Sequence, residues 1–140
     1  MLKNTTFLVF LGLLLCACSI GRLTKKNVYT ELPGEQYFNM IQDSNVQIID
    51  VRTKGEYEKS HISGAVNFSY LGGGFKKAVA ESDLDPTKTT LIYCETQHRS
   101  LFAAKKLYRI GYKNIIDLDK GMMRWRKDGL PYISDTLSND

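Results

Sequence analysis

The residues best suited to chemistry lie in Leu91-Ile-Tyr-Cys94-Glu-Thr-Gln-His-Arg99-Ser100. A short β-branched and aromatic run ends at a cysteine, a tight polar loop follows, and a helical pattern begins at once. A cysteine at such a junction faces backbone N–H groups at a helix N-terminus, surroundings that favour thiolate over thiol and hold anions. Cys94 is therefore read as a reactive thiolate, with Glu95, Thr96, Gln97, His98, Arg99 and Ser100 forming the loop around it. Arg99 is the loop's fixed cation, and it either steers an anionic donor or folds back onto loop carbonyls. Ser100 is placed to cap the following helix and to hydrogen-bond the sulfur. His98 is expected to face solvent as a substrate contact, with a general-base role as the alternative.

The elements that must position this loop follow from periodicity. Val46-Gln-Ile-Ile-Asp50-Val51 is a near-continuous apolar run, the pattern of a strand buried on both faces of a parallel sheet. It ends in Asp50-Val51-Arg52, where ligands collect in open α/β sheets. Asp50 and Arg52 are expected to support the loop from behind, with Asp50 bonded to backbone amides or to Arg99. Further strands are expected over 28–32, 65–68, 89–93 and 115–118. Helices are expected over 34–43, 75–81, 100–110 and 122–127, with a single turn near Gly55–Glu58. Gly111 stops the helix that carries Leu101, Ala104 and Leu107. Strands alternating with helices imply an α/β fold with a parallel sheet.

Composition narrows the function classes. The 140 residues are 43% hydrophobic and 24% charged, values of a single globular domain rather than a disordered or repetitive chain. The net charge of +4 is spread along the sequence, so no nucleic-acid footprint is present. Two histidines and the cysteines show no metal-ligand spacing, and no cofactor is expected. The Gly72-Gly73-Gly74 run lacks the Lys-Ser/Thr of a phosphate loop.

The N-terminus reads as an address. Phe7 to Ala17 is an apolar run of signal-peptide length behind Lys3, ending in Leu15-Cys16-Ala17-Cys18, which resembles a bacterial lipobox. That resemblance implies cleavage before Cys18 and lipidation of its sulfur, which leaves Cys94 without an internal disulfide partner. The expected organisation is a signal peptide over 1–17, a lipidated tether over 18–27, a domain over 28–131 and a tail over 132–140. The expected location is the bacterial cell envelope, facing the periplasm if an outer membrane is present.

The segment from Tyr29 to Pro131 resembles a single-domain rhodanese of the sulfurtransferase family. The matching pieces are Ile49-Asp50-Val51-Arg52, Glu56-Tyr57, His61-Ile62 with Gly64-Ala65-Val66-Asn67, and Tyr93-Cys94 leading to Arg99-Ser100. Gly111-Tyr112 and Gly121 through Trp125 to Gly129-Leu130-Pro131 complete them. The resemblance implies a five-stranded parallel sheet flanked by helices on both faces, with a structural His61. It also implies a persulfide on Cys94, loaded from a small sulfane-sulfur donor and passed to a thiol or protein acceptor by a monomer. Related loops often carry a basic residue directly after the cysteine and a glycine three places after it, where Glu95 and Gln97 stand here. Glu95 is expected to put negative charge at the mouth and to disfavour a dianionic donor such as thiosulfate by about 1 kcal/mol. Gln97 is expected to reshape the cradle or add an amide donor.

Three rivals share these features. Cysteine phosphatases and arsenate reductases resemble the layout but place five residues between cysteine and arginine, where this chain has four. A non-catalytic binding module of the envelope would leave Cys94 idle. A redox sensor would need an external resolving thiol.

Overall fold

The computed structural model describes residues 27–135; the segment read as a signal peptide, Cys18, nearly all of the segment read as a tether and residues 136–140 lie outside the described residues. In chain order the elements are β1 (Thr30–Leu32), α1 (Gly34–Met40), β2 (Val46–Asp50), α2 (Lys54–Lys59), β3 (Ser60–His61), β4 (Ala65–Asn67), α3 (Phe75–Ala80), β5 (Thr89–Tyr93), α4 (His98–Arg109), β6 (Ile115–Leu118), α5 (Gly121–Lys127) and β7 (Ile133–Ser134). Five strands form one sheet in the order β1-β6-β5-β2-β4, every pair parallel. This is the expected α/β fold with a five-stranded parallel sheet. Register pairs Ile49 with Ile92 and Asp50 with Tyr93, so β2 and β5 finish level with each other.

Side-chain alternation along each strand divides the interior into two layers. Ile49, Val51, Ile92, Cys94 and Ile115 pack with α3 and α4 through Phe75, Val79, Ala103, Ala104 and Leu107. Ile48, Leu91, Tyr93, Ile116 and Leu118 pack with α1 and α5 through Tyr37, Met122 and Trp125. Trp125 is fully buried, meets Tyr37 edge-on at 6.0 Å, and donates from its indole N–H to the Pro131 carbonyl at 2.9 Å. Gly34 lies close under Leu130: a Cβ there would sit 2.7 Å from Leu130 Cδ1 and would push that side chain aside.

The chain order creates the crevice used below. From β2 the chain moves outward to β4, then returns across β2 to enter β5 on its other side. The connections leaving β2 and β5 therefore diverge, which opens a gap at their carboxyl ends. Two elements differ from the sequence reading. Ser60–His61 and Ile133–Ser134 form a two-stranded antiparallel ribbon, so regular structure continues past Pro131 into the segment read as tail. Two-residue strands carry no periodic signal.

Candidate active site

Cys94 follows β5 directly, at the crevice between the β2 and β5 ends, and is 1% exposed. Its backbone is fixed from two directions. The Val51 N–H donates to the Tyr93 carbonyl at 3.0 Å. From the start of α5, Met122 N–H donates to the Cys94 carbonyl at 2.8 Å and Met123 N–H to the Glu95 carbonyl at 3.0 Å. Gly121 permits this approach: it has φ +60°, and a Cβ there would lie 2.4 Å from the Cys94 carbonyl oxygen. On the far side of the loop α4 starts at His98, behind Gln97 at φ 76°. The first amides of a helix lack intrahelical acceptors and form an anion-holding end, here beside the cysteine.

Charged side chains frame the loop. Asp50 and Arg52 are buried together: Arg52 Nε donates to Asp50 Oδ2 at 3.0 Å, and Nη2 donates to Asp50 Oδ2 at 2.6 Å and to the Ser60 carbonyl at 2.5 Å. Burial acts against the Arg52 charge, but hydrogen bonds and the charge of Asp50 outweigh it, so its pKa moves up. Arg52 Nη1 reaches Glu95 Oε2 at 3.2 Å, and Arg126 holds the other Glu95 oxygen. Glu95 thus lies between two guanidinium groups rather than standing as an uncompensated charge at the mouth. A cavity of about 450 Å³ opens here, lined by Arg52, Glu56, Lys59, Glu95, Arg126 and Tyr132 among others.

Arg99 binds neither loop carbonyls nor Asp50. It forms a two-pronged ion pair with Glu56, Nη1 to Oε2 at 2.7 Å and Nη2 to Oε1 at 2.6 Å. Glu56 is itself pinned as N3 of a capping box at the start of α2, accepting from the Thr53 N–H at 2.9 Å and the Thr53 hydroxyl at 2.7 Å. The bonds from Arg99, then those from Thr53, hold the Glu56 pKa down at about 2 despite partial burial. A local helix-start signal therefore sets the position of the loop's cation.

The remaining loop residues depart from expectation in detail. Ser100 is not the helix cap; it lies within α4, and its hydroxyl donates to the Gln97 carbonyl at 2.9 Å rather than to the sulfur. His98 is exposed, its Nδ1 3.2 Å from the Thr96 hydroxyl. Gln97 keeps the left-handed backbone that glycine favours, and its side chain acts as an acceptor: Oε1 takes the Lys120 N–H at 3.3 Å. His61 stacks on Tyr57 at 4.0 Å with Nδ1 at 2.9 Å from the Tyr57 carbonyl, away from the loop. The sequence reading assigned no site role to Glu56, Gly121 or Arg126. The Thr53-x-x-Glu56 spacing was the available signal for the first. No local pattern marks Arg126, which arrives from another helix.

Residues 34–128 match the family model of the Rhodanese-like domain. The chain is 36% identical over 83 residues to the "Putative sulfur carrier protein YrkF" of Bacillus subtilis (strain 168), covering 59% of this chain and 43% of that protein. It is 27% identical over 123 residues to "Thiosulfate sulfurtransferase 18" of Arabidopsis thaliana, covering 81% of this chain and 90% of that one. The polysulfide-sulfur transferase homodimer from Wolinella succinogenes has a similar fold, with a TM-score of 0.66 at 23% identity over 98% of this chain and 96% of that one. The chain spans less than half the length of the first curated relatives it matches, 43% of one and 22% of another.

The Glu56–Arg99 pair gives a pH signature. A depressed folded pKa adds stability that is present above the unfolded carboxyl range and is lost as pH falls towards about 2. Glu56 is one-third exposed, so screening reduces the effect, and Glu56→Gln is expected to lose about 1 kcal/mol at neutral pH. Chemical denaturation of wild type and variant should show that gap closing between about pH 4.5 and 2.

Proposed function

Because the chain belongs to the rhodanese-like family, whose members include sulfurtransferases similar to it, we propose that it is a sulfurtransferase that carries sulfur on Cys94. The observation that carries this reading is the seating of Cys94 at the β2/β5 crevice, its loop held by α5 and faced by the N-terminus of α4. The Cys94 thiolate attacks the outer sulfur of a sulfane donor. A new S–S bond forms, and the donor departs with the electron pair of its broken bond, as sulfite from thiosulfate or as a thiolate from a persulfide. An acceptor thiolate then attacks the outer sulfur of the Cys94 persulfide, and Cys94 leaves as the thiolate. Net charge is unchanged in each exchange, so no proton carrier is required once the thiolates are formed.

Each anion produced has a local donor set. The α4 amides and helix dipole face the sulfur and its persulfide, and Arg99 adds a positive charge held in place by Glu56. A smaller loop than that of cysteine phosphatases suits a sulfur atom better than a tetrahedral phosphate. Glu95 lies between Arg52 and Arg126, and the cavity is lined by three cations, Arg52, Lys59 and Arg126, against the carboxylates Glu56 and Glu95, with Arg52 also paired to buried Asp50. That pairing weakens the repulsion of an anionic donor expected from Glu95 alone. Export and anchoring through a lipid on Cys18 belong to the same proposal, on the Leu15-Cys16-Ala17-Cys18 sequence.

Three measurements check these readings. Exposure of the full-length chain to thiosulfate, glutathione persulfide or polysulfide should add one sulfur atom to the Cys94-containing peptide, read by mass, and Cys94→Ser should abolish it; no adduct from any donor would sink the proposal. Glu95→Gln should raise kcat/KM for thiosulfate about two- to fivefold at low salt, with the gain fading as salt screens the site. For anchoring, inhibition of signal peptidase II in cells should shift the band of the wild-type chain, and Cys18→Ala should show no such shift.

A further inference from the structure

Beside Cys94 lies a carboxyl that the sulfur chemistry leaves unused. Asp117 sits on β6 with no exposed surface, in register with Ile92 of β5 and Glu31 of β1. Neither carboxylate oxygen has a hydrogen-bond partner among the described residues, and the buried Nε2 of Gln97 is unpartnered too. Two-residue alternation puts Asp117 on the sheet face of Ile115, Ile92 and Cys94. Cys94 stands two residues beyond Ile92 on the neighbouring strand, so the Cα atoms of Asp117 and Cys94 are about 8 Å apart.

The groups acting on the carboxyl come from three elements besides its own. Gln97 and Ser100 at the start of α4 act on it, as does Glu31 from β1. Tyr29, just before β1, and Tyr37 of α1 are close enough to be influenced by its charge. None of these is a cation. Burial first, reinforced by Glu31 and opposed by Ser100 and Gln97, pushes the Asp117 pKa up to about 7. A carboxyl in that position changes charge in the range where a thiol is called on to do so.

We propose that Asp117 is a positioning residue for Cys94: neutral, it leaves the field of the loop to the sulfur anion, and ionised, it opposes that anion and competes for Gln97 and Ser100. This rests on Cys94 as the reacting thiol of the proposed function, but not on sulfur being the group transferred. A carboxylate on the same face of the neighbouring strand opposes a second negative charge on the sulfur, because like charges in a low-dielectric interior repel. Gln97 stands between the two groups: it belongs to the Cys94 loop, its Oε1 accepts the Lys120 N–H that precedes α5, and its buried, unpartnered Nε2 is free to turn to an ionised Asp117.

The test is alkylation of Cys94 by neutral iodoacetamide in the full-length chain, followed by the mass of the Cys94-containing peptide across pH. Asp117→Asn keeps the shape and removes the ionisation. Its rate should match wild type near about pH 6 and exceed it about three- to tenfold near pH 8.5. A ratio that is the same at every pH, whether one or another value, would overturn the proposal, since a packing effect has no titration. Should Asp117→Asn fail to fold, Asp117→Ser removes the same charge and is read in the same way. Sulfur loading is followed in parallel. A pH-dependent ratio with no persulfide on wild type refutes sulfur transfer and leaves Asp117's role standing, and the reverse result refutes Asp117's role alone.

Discussion

The end of β2 is built on a charge taken out of water. Arg52 is 1% exposed and Asp50 has no exposed surface. An ion pair in that state stabilises only if nearly all its hydrogen-bonding capacity is met, because desolvation costs several kcal/mol per ion. Here the capacity is met from every side. Asp50 accepts from the Arg52 side chain and from the Arg52 N–H at 2.8 Å. Arg52 continues to the Ser60 carbonyl and to Glu95, and lies over the Tyr93 ring at 5.5 Å. Asn67 closes the back by donating to the Asp50 and Arg52 carbonyls at 3.0 and 2.9 Å. One guanidinium thus joins β2, β3 and the Cys94 loop, while Asn67 adds β4. Loss of either charge would leave the other buried and unpaired, so this corner is held as a unit.

Among the described residues, two non-glycine positions adopt left-handed backbone, Gln97 at φ 76° and Lys120 at φ 58°. Each costs about 1–2 kcal/mol relative to ordinary helical backbone. They are not independent, since the Gln97 side chain accepts the Lys120 N–H. The two positions precede α4 and α5 respectively, and both helix starts converge on the Cys94 loop. The strain is therefore located where two helix N-termini are turned towards one short loop, and the Gln97–Lys120 bond offsets part of it. Gly121 occupies the one position where no substitute is possible without moving the Cys94 carbonyl.

The sheet was legible because its signals are local. β2, β5 and β6 are apolar runs long enough to show burial on both faces, and β5 and β6 begin and end at the residues the pattern indicates. The ribbon of Ser60–His61 with Ile133–Ser134 was not legible, because its pairing spans more than seventy residues and each strand is two long. The site divides along the same line. Cys94 and its helix junction are sequence-local, and so is the Asp50/Arg52 pair. The partners of Arg99, Glu95 and Gln97 come from other elements, and only the folded chain selects among the candidates. Ser100 shows how a local rule misled: it is a favoured cap residue, but α4 begins two residues earlier through the left-handed Gln97.

In the proposed function the donors to the sulfur are backbone amides at the start of α4, and that decides what the loop's side chains are free to do. Amides at a helix start keep their direction whatever side chains follow, provided Gln97 keeps its left-handed turn and Gly121 its close approach. Glu95, Thr96 and His98 can then vary without dismantling the cradle, and their influence falls on the field at the mouth. Side-chain charges control that field in opposite senses on the two sides of the loop. On the α2 side, Glu56 is ionised and spent on Arg99, fixing a cation near the sulfur. On the β6 side, Asp117 has no cation and resists ionisation. One carboxyl is made permanent by a guanidinium and the other conditional by burial, so the charge around Cys94 is set by the environments of Glu56 and Asp117 rather than by the count of acids near it.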